Sequence, residues 1–194
     1  MKILQHTHKR FQEGVRVRVV RVETLTTMWV RLEGEPRISE ILSLVLNTYP
    51  LAYWPKKKDL KPGMLVAVRV NSVAFWDRAI LLQQTEKGYI VFLIDFGIET
   101  YRSVSSIRLL PRKLARIVPW ARKLQLSGVR DQADQTLRHR VAQFTMLRRS
   151  GYLTDINSSP GDAMTARLVL DGKEGEFSTD MGAHWLELGY LDPE

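Results

Sequence analysis

Between Val15 and Val22 valine alternates with arginine, and Thr26 to Leu32 form a second β-rich run after a short polar break. Period-two alternation puts every second side chain on one face, so the pair predicts a hairpin with one buried face. The period then changes. Ile38, Ile41, Leu42, Val45 and Leu46 recur at helical spacing behind Pro36, an early helical position, until Asn47 and Pro50 end the run. A short amphipathic helix is expected there. Tyr49 to Leu60 hold Pro50, Tyr53, Trp54, Pro55 and the run Lys56 to Lys58 without any period, and read as a linker to a new unit.

Beyond Lys61-Pro62-Gly63 four short β runs follow closely: Met64 to Val70, Phe75 to Leu82, Tyr89 to Ile94 and Thr100 to Val104. Turn-forming Asn71-Ser72, Glu86-Lys87-Gly88 and Asp95-Phe96-Gly97 separate them, a spacing that predicts a small, strongly bent barrel. Pro111 to Ile117 is expected as a short helix, Trp120 to Val129 as a strand, and Gln132 to Leu147 as a longer helix with Leu137, Val141, Phe144 and Met146 or Leu147 facing inward. Ala163 to Leu170 and Glu174 to Phe177 are expected as a hairpin around Asp171-Gly172, before an amphipathic turn over Ala183 to Leu188. Two strands and a helix, a compact barrel, then more strands and helix describe one fold interrupted by another, because each outer piece is too small to hold a core alone.

The 194 residues, 44% hydrophobic and 26% charged, have globular rather than disordered or fibrous composition. The most apolar stretch, Ile41 to Trp54, is interrupted by Asn47, Thr48 and Pro50 and falls short of the roughly 18 continuous apolar residues of a membrane helix. The absence of cysteine excludes disulfides and thiol chemistry, and the start turns polar before a signal-peptide core could form, so an intracellular setting is expected. Lysine and arginine total 29 against 21 acids, a formal charge of +8. Such a field favours an anionic partner, although the basic residues are scattered as the solvated faces of any basic domain would have them. No phosphate loop, H-E-x-x-H helix or nucleophile elbow occurs, so neither an enzyme nor a cofactor is expected. His6 and His8 share one side of a strand-like segment, but no third ligand follows and no metal site is expected.

The most informative segments are Phe75-Trp76-Asp77-Arg78-Ala79-Ile80 and Val91-Phe92-Leu93-Ile94-Asp95-Phe96-Gly97, followed by Ser105-Ser106-Ile107-Arg108-Leu109-Leu110-Pro111 and Ala121-Arg122-Lys123-Leu124-Gln125-Leu126-Ser127-Gly128-Val129. In order and spacing they resemble a Tudor domain of the extended type, and the likeness runs through nearly the whole chain to Trp185-Leu186-Glu187-Leu188-Gly189-Tyr190. The resemblance implies a mainly β fold with a few helices, in which a Tudor-type SH3-like barrel is inserted into a split staphylococcal-nuclease-like OB fold. Residues 1–55 are then the first part of the OB subdomain, 56–112 the barrel, and 113–194 the linking helix and second OB part. The catalytic carboxylates and arginines of active nucleases of that fold have no recognisable counterparts here.

What the resemblance implies of function is a scaffold of the piRNA pathway, the transposon-silencing branch of RNA-mediated gene silencing. It binds the arginine-glycine N-terminal tail of a Piwi-family Argonaute in the cytoplasmic, perinuclear germ granules (nuage) of the animal germline. Family members read symmetrically dimethylated arginine in a cage of four aromatics and an asparagine, where methylation keeps the charge but removes hydrogen-bond donors. The matching positions here are Val70 or Asn71, Asp77, Leu93, Phe96, and Ile98 where the asparagine belongs, with Glu99 beside them. Phe96 alone is aromatic among these. Asp77, by contrast, offers a carboxylate that takes a bidentate bond from an unmethylated guanidinium and loses it when methyl groups block the donors. The expected ligand is therefore an unmethylated or methylation-independent tail, bound at a degenerate cage. Trp76, Phe75 and Phe92 are expected in the barrel core, Arg78 with Asp95 as the family's internal ion pair, and Gly97 in a turn that other residues resist. The competing readings are RNA binding through a basic surface with Tyr53, Trp54 and Tyr101 as stacking aromatics, and a purely architectural, self-associating module.

Overall fold

The structure, a computed structural model, describes residues 11–34, 38–48, 53–70, 75–132, 140, 143, 145–157, 163–172 and 178–194. Strands β1 (Arg16–Val22) and β2 (Thr27–Leu32) form the expected antiparallel hairpin. The doubled valine at 19 and 20 marks a bulge, where two residues of β1 pass one of β2. That bulge shifts the parity, so Val17, Val19 and then Val22 are buried while Arg21 stays partly exposed. Helix α1 (Ile38–Thr48) follows, burying Leu42 and Leu46 but leaving Ile41, expected on the inner face, 43% exposed.

Five strands then run β3 (Leu65–Arg69), β4 (Trp76–Gln84), β5 (Gly88–Leu93), β6 (Ile98–Ser103) and β7 (Ile107–Leu109), all antiparallel in the order β6-β5-β4-β3-β7. Their inner face is an apolar cluster of Val66, Val68, Ala79, Leu81, Tyr89, Val91, Leu93 and Ile107, closed by Leu60. The outer face of β3 and β4 is buried as well. There Ala67 and Trp76 meet Leu42 and Leu46 of α1 and Leu114 of α2 (Arg112–Ala115). Trp76 therefore packs outside the barrel rather than in its interior, because it differs in strand parity from Ala79 and Leu81. Its backbone N–H donates to the Ser43 hydroxyl at 3.1 Å and its indole N–H to Asn47 Oδ1 at 3.4 Å, which fixes α1 on the strand. Phe75 is 49% exposed and Phe92 lies half-buried on the face opposite Val91 and Leu93, so neither belongs to the interior cluster.

The returning chain forms β8 (Ala121–Leu126), β9 (Val129–Asp131), β10 (Ser150–Asn157), β11 (Met164–Leu170), β12 (Thr179–Asp180), α3 (Met181–Glu187) and β13 (Leu191–Pro193). The single strand expected over 120–129 is thus two, divided at Gly128, whose φ of +73° turns the chain. The strand that pairs with β11 as the hairpin is β10, which lies before it in the chain. The expected partner strand, 174–177, lies outside the described residues, as do His6, His8 and most of the helix expected over 132–147. β1 pairs with β2, β2 with β8, β8 in parallel with β11, β11 with β10, and β10 with β1, which closes a five-stranded barrel. Its core holds Val19, Met28, Leu124, Leu153, Leu168 and Trp185. Asp131 ties the β1–β2 turn to β9, accepting from the hydroxyls of Thr24 at 2.6 Å and Thr26 at 2.7 Å.

By contacts the chain forms two compact units, residues up to Gly34 with Pro119–Glu194, and Glu35–Val118. The compact unit Glu35–Val118 joins α1 and Leu114 of α2 to the barrel strands through the outer hydrophobic cluster. It departs after β2 and returns into β8, and these are antiparallel neighbours with Arg31 opposite Ala121. The insertion replaces a hairpin loop whose ends already adjoin, a place where extra chain costs little.

Candidate functional site

The rim of the inserted barrel is organised by the turn between β5 and β6. Leu93 and Ile98 face each other across it, and the backbone N–H groups of Phe96 and Gly97 both donate to the Leu93 carbonyl, at 3.1 and 2.8 Å. Gly97 closes the turn at φ +67°, a conformation side chains disfavour. The β4–β5 ladder runs on to an Ile94 N–H bond with the Arg78 carbonyl at 3.1 Å, so Asp77, the next residue of β4, stands beside this turn.

Beneath the turn Arg78 and Asp95 form a bidentate pair, with Nε and Nη2 donating at 2.8 and 2.6 Å and both side chains essentially inaccessible. The rest of the guanidinium is used too. Nη1 donates to the carbonyls of Leu114 and Ile117, and Nη2 to that of Val118 at 3.2 Å. One arginine thus fastens the β5–β6 turn to α2 and the chain after it, and the full set of partners makes its burial tolerable.

Strand parity sorts the expected cage positions. Val70, Leu93, Phe96 and Ile98 all pack on or against the inner apolar cluster. Asp77 shares their side of the sheet, since it alternates with Ala79 and Leu81 and pairs with the buried Val68. It is half-buried, at the end of the strand. Asn71, the alternative to Val70, lies outside the described residues. Glu99 does not join the group: it is exposed and pairs with Phe92 on the opposite face from Ile98. The rim therefore brings together one aromatic ring, three aliphatic walls and one carboxylate. Such walls lack the stacked quadrupoles that hold a methylated cation, whereas the carboxylate suits a guanidinium with its donors intact.

A residue that the sequence reading did not include is Arg102, whose Nη2 donates to the Val70 carbonyl at 3.2 Å and joins β6 to the end of β3. Its Nε is buried without a hydrogen bond among the described residues. The inward parity of 98, 100 and 102 was available in the sequence, but the closure of the sheet that brings Val70 to Arg102 was not. Of the aromatics expected to stack on RNA, Trp54 and Tyr101 are about half exposed, at 54% and 47%, and Tyr53 packs partly buried against the outer cluster.

No curated protein sequence matches the chain. Among solved structures, the extended Tudor domain of human TDRD1, in complex with a symmetrically dimethylated peptide, is similar at a TM-score of 0.79 and 17% identity, covering 95% of this chain and 93% of that one. The extended Tudor domain of Drosophila melanogaster Tudor-SN is similar at a TM-score of 0.78 and 19% identity, covering 94% and 85%. A single-substitution variant of the extended Tudor domain of Drosophila melanogaster Papi, in complex with a Piwi N-terminal dimethylarginine peptide, is similar at a TM-score of 0.70 and 14% identity, covering 94% and 100%. Identities this low speak to the fold alone. A family model described as Tudor domain matches residues 9–128, which is more than half the chain. With a five-stranded barrel set into a second, closed one, the chain belongs to the Tudor domain family and has the fold of its extended members.

Proposed function

We propose that this chain is a non-enzymatic peptide-binding module of the piRNA pathway that takes an arginine-containing tail of a Piwi-family protein, with the arginine unmethylated. The support for a peptide ligand is the likeness to domains solved with dimethylarginine peptides, one of them from a Piwi N-terminus. The observation that carries the departure from them is Asp77, half-buried on the inward side of β4 beside the β5–β6 turn, among Leu93, Phe96 and Ile98. A carboxylate there gives two charge-assisted hydrogen bonds to a bare guanidinium and fewer to a methylated one, while a lone phenyl ring returns little for the methyl groups. In this reading the module engages the tail before methylation, in cytoplasmic germ granules, as a scaffold rather than a catalyst.

Calorimetry with matched Piwi-tail peptides, one arginine either unmodified or symmetrically dimethylated, is the test. The unmodified peptide is expected to bind about tenfold more tightly, a preference that Asp77→Ala abolishes, in keeping with about 1.5 kcal/mol for a hydrogen bond to a charged group. Tighter binding of the dimethylated peptide sinks the proposal.

A further inference from the structure

On the outer face of the inserted barrel, two arginines and two tryptophans form a stack that neither the ion-pair network nor the peptide rim accounts for. Arg69 of β3 lies over the Trp76 ring at 4.8 Å, Arg108 of β7 lies over the same ring at 5.1 Å, and Trp54 covers Arg108 at 3.6 Å. Strand register explains the convergence. Ala67 pairs with Arg108, and Arg69 with Trp76, so both arginines share the outward parity of Ala67, away from the interior where Asp77 points.

Arg108 is held rigidly, because its Nη1 donates to the carbonyls of Ser105 at 2.9 Å and Ile107 at 2.7 Å. Arg108 is 7% exposed, and its opposite edge, Nε with Nη2, has no hydrogen-bond partner among the described residues. That edge is the parallel pair of donors that fits two oxygens of one anion. Among the described residues neither arginine forms an ion pair with a carboxylate. Burial first, and the charge of Arg69 second, push Arg108 below the ordinary arginine range, and a bound anion would relieve the second of these. Arg69 is exposed, and Trp54, 54% exposed with Arg108 on one face, leaves indole surface for a flat ligand. Lys56, Lys58 and Lys61 follow Trp54 closely in the chain and are exposed.

We propose that this face is a binding site for single-stranded RNA, in which an unpaired base stacks on Trp54 and the adjoining phosphate takes the Nε/Nη2 edge of Arg108 with Arg69 beside it. Aromatic stacking distinguishes this ligand from a merely acidic peptide, and an unpaired base distinguishes it from a duplex. The site is separate from the peptide rim, so the two proposals stand or fall independently.

Fluorescence anisotropy of a labelled single-stranded RNA of about 12 nucleotides tests it across a salt series, beside the same RNA annealed to its complement and an acidic peptide of equal charge. Trp54→Ala is expected to weaken single-strand binding about 5- to 150-fold, the range for losing one base stack. Arg69→Gln, at an exposed position, is expected to weaken it and to lower the slope of log affinity against log salt by about 0.7. Thermal unfolding checks each variant, and Arg69→Gln decides the matter if Trp54→Ala does not fold. Unchanged affinity in the folded variants overturns the site, as does binding of the duplex or the acidic peptide as tight as that of the single strand.

Discussion

Removing Asp95 alone would leave Arg78 fully buried, with three backbone carbonyls still accepting from it but no charge to balance its own. Asp95→Ala is therefore expected to cost the inserted barrel about 3–5 kcal/mol, measured by urea unfolding. The double change Arg78→Met with Asp95→Leu is expected to cost less than the sum of its single changes, since it leaves neither charge unpaired. At this scale the sequence is informative where neighbours along a strand decide the matter. The inward direction of Asp77 and the outward direction of Glu99 follow from alternation about Ala79 and Ile98. The carbonyls of Leu114, Ile117 and Val118 are not legible as Arg78 partners, because they come from α2 and the chain after it, some 36 to 40 positions away.

Among the elements, β10 decides whether the outer barrel is closed, since it pairs with β1 on one side and β11 on the other. Gly151 makes the close approach possible. It sits opposite Leu170, and a Cβ built there would lie 2.2 Å from the Val169 carbonyl oxygen, a backbone atom that cannot swing away. Gly151→Ala is expected to destabilise this unit by about 1–3 kcal/mol, seen as a melting temperature lower by several degrees. A melting temperature equal to that of the unaltered chain would show that β10 can shift without loss. The hairpin β1–β2 and the strands of the inserted barrel were readable because each carries its own alternation and turn residues. β10, Ser-Gly-Tyr-Leu-Thr-Asp-Ile-Asn, has few apolar residues and is not legible locally, because its strand character comes from the two strands that flank it.

Over the whole molecule the charge of +8 makes acid a stringent condition, and two carboxylates set its direction. Burial pushes Glu33 up, but hydrogen bonds from Ser150, Arg16 and Arg18 outweigh this and hold it below the ordinary glutamate value. Glu23 is likewise raised by burial and lowered by more through Lys123 and Trp29. In both the unfolded chain binds the proton more readily, so their contribution is complete above the unfolded value of about 4.3 and is lost as pH falls through the lower folded values. Urea midpoints are expected to be steady near neutrality and to fall below about pH 4, with Glu33→Gln giving a lower but flatter profile. A midpoint that rises on acidification contradicts this. The sequence by itself determined the local alternation, the turns, the order of a fold interrupted by another and the residue types at the rim, since all of these depend on neighbours a few positions apart. Only the tertiary structure decided the closure of the outer barrel through β10, the exit of Trp76 to the outer face, and the gathering of residues 54, 69, 76 and 108 into one stack. Those depend on which strand lies beside which, and on surfaces buried between segments that local pattern does not relate.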